Sequence, residues 1–85
     1  MDNQKDLKFK SFFAWLKAQW NEKQLCLTDI EESLPSHFKA IMDQIKEADE
    51  GYLADSMNRL DAALDRAKKI FLRAAELIRK TRAAA

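Results

Sequence analysis

Apolar residues recur along this chain at helical intervals in three stretches, and the last of them is the longest. Leu53, Met57, Leu60, Leu64, Ala67, Phe71, Ala74 and Ile78 are separated by alternating steps of four and three residues. This is the a/d heptad pattern of a helix that keeps one seam against its neighbours, and it predicts a single helix over about residues 53–81. Ala63, Ile70 and Leu77 recur every seven residues beside the seam. The apolar stripe is therefore wider than a two-stranded coiled coil needs and suits packing against two other helices. Leu60 and Leu64, at consecutive seam positions, are expected to be buried.

In the first stretch Phe9, Phe12, Phe13, Leu16 and Trp20 fall at i, i+3, i+4, i+7 and i+11, one face of a helix predicted over about residues 6–22. Each aromatic side chain can bury about 150–250 Å², so this stripe is expected to supply much of the core. Trp15 projects outside the stripe, beside Ser11 and Lys8, when successive residues are set about 100° apart. It is expected at the rim.

The middle stretch opens with Thr28-Asp29-Ile30-Glu31, the Thr-x-x-Glu order of a capping box at a helix start. Pro35 has no backbone N–H and disfavours helical geometry at Leu34, so the helix predicted over about residues 29–50 is expected to break near residue 35. Phe38, Ile41, Met42 and Ile45 then form an apolar stripe, and Gly51 supplies a left-handed stop. One glycine and one proline are too few for the turns of a β-sandwich or barrel. The predicted fold is all-α, a three-helix, bundle-like assembly in one domain over residues 1–85, with a helical hairpin, an N-terminal helix and a long C-terminal helix.

Helix lengths raise a question of cover. Residues 53–80 span about 42 Å and residues 35–50 about 24 Å at 1.5 Å per residue, so the end of the long helix overhangs its hairpin partner. Ile70, Phe71, Leu77 and Ile78 lie on that overhang and must be covered by the first helix, by residues 28–34 or by another chain. With Trp15 they are the candidate partner-binding residues, because contiguous exposed apolar surface marks an interface and aromatics dominate interface hot spots.

Charge adds a second candidate surface. The net charge of +1 divides into +2 over residues 1–28, −6 over residues 29–61 and +5 over residues 62–85. An acidic middle and a basic end complement each other when folded antiparallel. Alternatively, Lys68, Lys69, Arg73, Arg79, Lys80 and Arg82, with Arg66, form a basic patch for nucleic acid or an acidic protein.

Constellations for chemistry are sparse. His37 is the only histidine and Cys26 the only cysteine, so neither a histidine-pair metal site nor a disulfide framework can be assembled within the chain. His37 is expected to be a solvated surface residue and Cys26 a small packed one. Glu31-Glu32 and Asp49-Glu50 are adjacent acids pointing in different directions on a helix, without the surroundings that general-acid work requires. Neither enzymatic activity, a cofactor, a metal nor a small-molecule substrate is expected. No apolar run approaches the roughly 20 residues of a membrane span, and without an export-signal pattern the expected location is the cytoplasm.

Ala67-x3-Phe71-x2-Ala74 resembles the second helix of a tetratricopeptide repeat, but Asp55 and Asn58 stand where the first helix of that repeat carries small and aromatic residues. The spacing is read as ordinary helix packing. The expected function is a non-enzymatic protein-binding module: an adaptor, inhibitor, chaperone or regulatory subunit that presents a helical apolar face to a protein partner or a second copy. The alternative is nucleic-acid association through the basic end.

Overall fold

The computed structural model describes residues 3–25, 27–49 and 56–84. They form four helices, α1 (Asn3–Lys23), α2 (Leu27–Ser33), α3 (Pro35–Asp49) and α4 (Ser56–Ala84), and no strand occurs among the described residues. The fold is all-α. The expectations placed on Cys26, Gly51, Leu53 and Asp55 lie outside the described residues.

The end of α1 is set by a device that carries no glycine signal. Gln24 has φ 56°, the Leu25 N–H donates to the Trp20 carbonyl at 2.7 Å, and the Gln24 N–H donates to the Asn21 carbonyl at 3.4 Å. Together these make a Schellman cap with glutamine in the left-handed position. Leu25, at 4% exposure, is then turned into the core. A non-glycine residue is disfavoured there because its Cβ crowds the backbone. Gln24→Gly is therefore expected to raise the unfolding free energy by about 0.5–1 kcal/mol, read by urea denaturation. An unchanged or lowered midpoint would remove strain at this cap from the account.

The middle helix starts one position ahead of the capping box. α2 begins at Leu27, within a residue of the Thr28 start that the capping box predicts. The break at Pro35 is present, but it does not reverse the chain. The Leu34 N–H still donates to the Ile30 carbonyl at 2.8 Å, and the Phe38 N–H donates to the Leu34 carbonyl at 3.1 Å. Helical bonding continues on both sides of the proline, and α2 and α3 act as one interrupted rod.

Side-chain pairs fix the directions. Lys8 Nζ meets Asp61 Oδ1 at 2.6 Å, the Trp15 and Phe71 rings lie 5.8 Å apart, and Arg82 Nη1 donates to the Gln24 carbonyl at 3.1 Å. α1 therefore runs parallel to α4. In the opposite sense Arg66 pairs with Gln44 at 3.5 Å, His37 and Ala40 lie beside Ile70 and Arg73, and Leu34 lies beside Leu77 and Ile78. The α2–α3 rod is antiparallel to α4 along its whole length. The result is an up-down-up bundle of 48 × 22 × 16 Å, whose long axis is set by the 29 residues of α4.

The core follows the predicted seam. Leu60, Leu64, Ala67, Phe71, Ala74 and Ile78 are all buried, Ala63 and Ala75 with them, and Met57 packs against the cluster half-buried. Alanine at 63, 67, 74 and 75 lets the neighbouring backbones approach closely, since interhelical distance follows the side chains at the contact. Phe12 and Leu16 enter from α1, Ile30 from α2 and Ile41 from α3, each at 1% exposure or less.

Two expectations are corrected here. The overhang of α4 is covered at Phe71 and Ile78 and partly at Ile70, because the rod that faces it begins at Leu27 and not at Pro35, with Ile30 and Leu25 in the same core cluster, while Leu77 stays exposed. The apolar stripes of α1 and α3 are not wholly buried either. Phe13 is 47% and Met42 41% exposed, and Phe9, Trp20, Phe38 and Ile45 are half-buried.

A candidate apolar groove between α1 and α3

The open seam has a geometric cause. From Trp15 across Phe12 and Leu16 to Phe13, the apolar face of α1 covers about 160° of its circumference at 100° per residue. One neighbour cannot cover such an arc. α1 lies closer to α4 than to α3, held there by the buried Phe12 and Leu16 and by Trp15, whose ring stacks at 6.5 Å on Phe12 and meets the edge of Phe71 at 5.8 Å, with the exposed Lys8–Asp61 pair a minor addition. Lys68 of α4 sets its ammonium 5.4 Å from the Trp15 ring centre, a cation–π contact that holds the indole from outside. With α1 drawn to α4, its far edge separates from α3.

What remains between α1 and α3 is a groove of about 430 Å³, with Phe9 and Phe13 on one wall, Met42 and Ile45 on the other, and Asp6, Lys46 and Asp49 at its margin. Phe13 is held from behind, its ring 5.4 Å from Phe12 in an edge-on contact and 6.5 Å from Phe9 in a stacked one. Aromatic pairs of this kind fix a ring without burying its outer face. Met42 opposite is unbranched and polarizable and can adapt to whatever sits on it. The groove thus pairs one fixed aromatic anchor with one adaptable contact.

The residues singled out from sequence are distributed otherwise. Phe71 (0% exposed) and Ile78 (6%) belong to the core, and Trp15 is half-buried at the core's edge, against Phe12 and Phe71. Ile70 is half-buried beside Ala40, and Leu77, 38% exposed, borders a small hollow with Ser33, Leu34 and Thr81. None of the five forms a continuous exposed apolar patch with the others. The heptad spacing marked burial at Phe71 and Ile78, where what buries them is intrachain, while Leu77 on the flank stays exposed.

The basic residues are also largely engaged. Lys69 pairs with Asp65 at 3.2 Å and Lys80 with Glu76 at 3.3 Å, one turn away on the same helix. Lys68 serves Trp15. Arg82 spans two elements, donating to the Gln24 carbonyl at 3.1 Å and to Asp29 Oδ2 at 3.4 Å, so that it clasps the α1–α2 connection to the end of α4. Exposed ion pairs of this kind contribute little each, yet they hold the cations beside acids of the same chain. Arg73 and Arg79 are exposed and make no ion pair among the described residues. Among the described residues the Arg82–Asp29 pair joins the acidic middle to the basic end across helices.

His37 is half-buried beside Ile70 and Arg73, where solvation was expected. Among the described residues no group of three or more His, Cys, Asp or Glu side chains could hold a metal ion, and no helix is long and apolar enough to cross a membrane. The groove itself had a partial sequence signal: an apolar arc on α1 too wide for one neighbour. Which edge of that arc stays open depends on how α1 leans, and that is decided in three dimensions. Compared with protein-family models, with curated proteins and with solved structures, the chain matches none.

Proposed function

We propose that the protein is a non-enzymatic protein-binding module that engages its partner through the apolar groove between α1 and α3. The observation that carries this reading is the pairing of Phe13 and Met42, the one 47% and the other 41% exposed, across a groove whose floor is continuous with the core. Exposed large apolar side chains grouped on a concave surface favour a ligand that removes them from water. A fixed aromatic anchor lowers the entropy lost on binding. The adaptor, inhibitor, chaperone and regulatory-subunit roles share this requirement. Nucleic-acid association has less support, because Lys68, Lys69, Lys80 and Arg82 are held by groups of the same chain.

The test uses the full chain carrying Phe13→Ser and Met42→Ser together. Both residues are substantially exposed, so helicity and melting temperature are expected to stay near those of the parent. Proteins cross-linked in cells to the parent are expected to be lost with the double variant. Identical cross-linked partners for the two, with the parent fold retained, would sink the groove reading.

A further inference from the structure

The charges around the groove say what kind of partner fits it. Phe13 has Lys10 three residues before it and Lys17 four residues after it on α1, and Met42 has Lys39 and Lys46 in the same two relations on α3. Residues three and four apart are neighbours on one helix face, so each exposed apolar residue is bracketed along its helix by two lysines. All four lysines are exposed, and none makes an ion pair among the described residues. This sets them apart from the basic end of α4, where Lys69 and Lys80 are paired. Of the acids, Asp6 and Asp49 lie together at one end of the groove and Asp43 stands between Lys39 and Lys46 on α3, so these four lysines and three acids leave a net charge of +1 around the seam, with the positive charge at its middle and far end.

Resting on the protein-binding reading above, we propose that the α1/α3 groove receives an acidic amphipathic helix of a partner protein. A groove between two antiparallel helices accepts a third helix as a ridge, and Phe13, Met42 and the half-buried Phe9 and Ile45 meet its apolar stripe. The lysine stems extend the apolar walls while their ammonium groups reach the flanking carboxylates of the incoming helix. A second copy of this chain fits worse, because apposing two such faces brings lysine clusters together, and like charges across an interface are unfavourable. A lipid surface fits worse as well, since the apolar atoms line a concavity and do not project as an insertable ridge.

The experiment is selection from a displayed library of helical peptides of random charge, with the full-length parent as bait and the Phe13→Ser/Met42→Ser double variant as counter-selection. Binders that need Phe13 and Met42 are expected to carry net negative charge on the flanks of an apolar stripe. The strongest, resynthesised, is expected to bind at least about tenfold more weakly to a variant with Lys10, Lys17, Lys39 and Lys46 changed to glutamate, and to weaken as salt is raised. Groove-dependent binders that are neutral or basic would overturn the acidic assignment and leave the protein-binding reading intact. No groove-dependent binder at all would overturn both. Sedimentation showing a dimer that Phe13→Ser dissolves, or co-sedimentation with phosphatidylserine vesicles that Phe13→Ser abolishes, would replace the peptide by a second copy or by a membrane.

Discussion

Phe71→Ala is expected to lower the unfolding free energy by about 3–5 kcal/mol. Stabilities run at about 0.05–0.15 kcal/mol per residue, about 4–13 kcal/mol for a chain of 85 residues, so this one substitution is expected to remove a large share of the total. The reason is position. Phe71 is 0% exposed and meets the edge of the Trp15 ring at 5.8 Å, so truncation opens a cavity where α1 and α4 touch and removes an aromatic contact worth a further 0.5–1.5 kcal/mol or so. Urea denaturation followed by circular dichroism reads the loss, with Phe71→Leu as the milder companion that keeps the variant folded enough to measure. A cost below about 1 kcal/mol for the alanine variant would place Phe71 outside the core and return it to the surface role that the heptad spacing first suggested.

The second large effect is expected at Ile30, where alanine should cost about 2–5 kcal/mol. α2 has only seven residues, too short to be stable by itself in water, and Ile30 is its one buried side chain. Whatever holds α2 in place therefore passes chiefly through this residue, with the half-buried Leu27 beside it and the exposed Arg82–Asp29 pair as a minor addition. Removing the side chain should loosen α2 and expose Ile78 beneath it. Amide hydrogen exchange is expected to show lost protection over residues 27–33 together with residues 74–82, while α1 and the α3–α4 contact near Gln44 stay protected. Uniform loss across the chain with no local opening would mean that α2 is not a separately anchored cover, and the account of how the overhang is closed would fail.

Between them these variants separate two explanations of one sequence pattern. Ile70, Phe71, Leu77 and Ile78 carry heptad spacing that requires a partner surface, but spacing does not say whether that surface belongs to the same chain. Pro35 decides which. Taking the proline as the start of effective cover leaves α4 overhanging by several turns, whereas the retained bonds at Leu34 and Phe38 let residues 27–33 continue in the same direction. A proline removes one donor and bends a helix locally; it reverses a chain only where the flanking residues allow a turn.

Periodicity along the chain determined the helical class, the seam from Leu60 to Ile78 and the interruption near residue 35, because these rest on local spacing and on the chemistry of single residues. The cap at Gln24 was not legible, since its sign is a backbone dihedral forced on an ordinary residue by the bond from Leu25 to Trp20. The open groove was not legible either. Phe12 and Phe13 are adjacent aromatics in one stripe, yet one is 1% and the other 47% exposed. That difference is fixed by the lean of α1 toward α4 through Trp15 and Lys68, with Lys8 a minor addition, contacts between residues more than fifty positions apart. Local sequence specifies which face of a helix is apolar; only the packing of the three rods against one another decides which edge of that face is left to water.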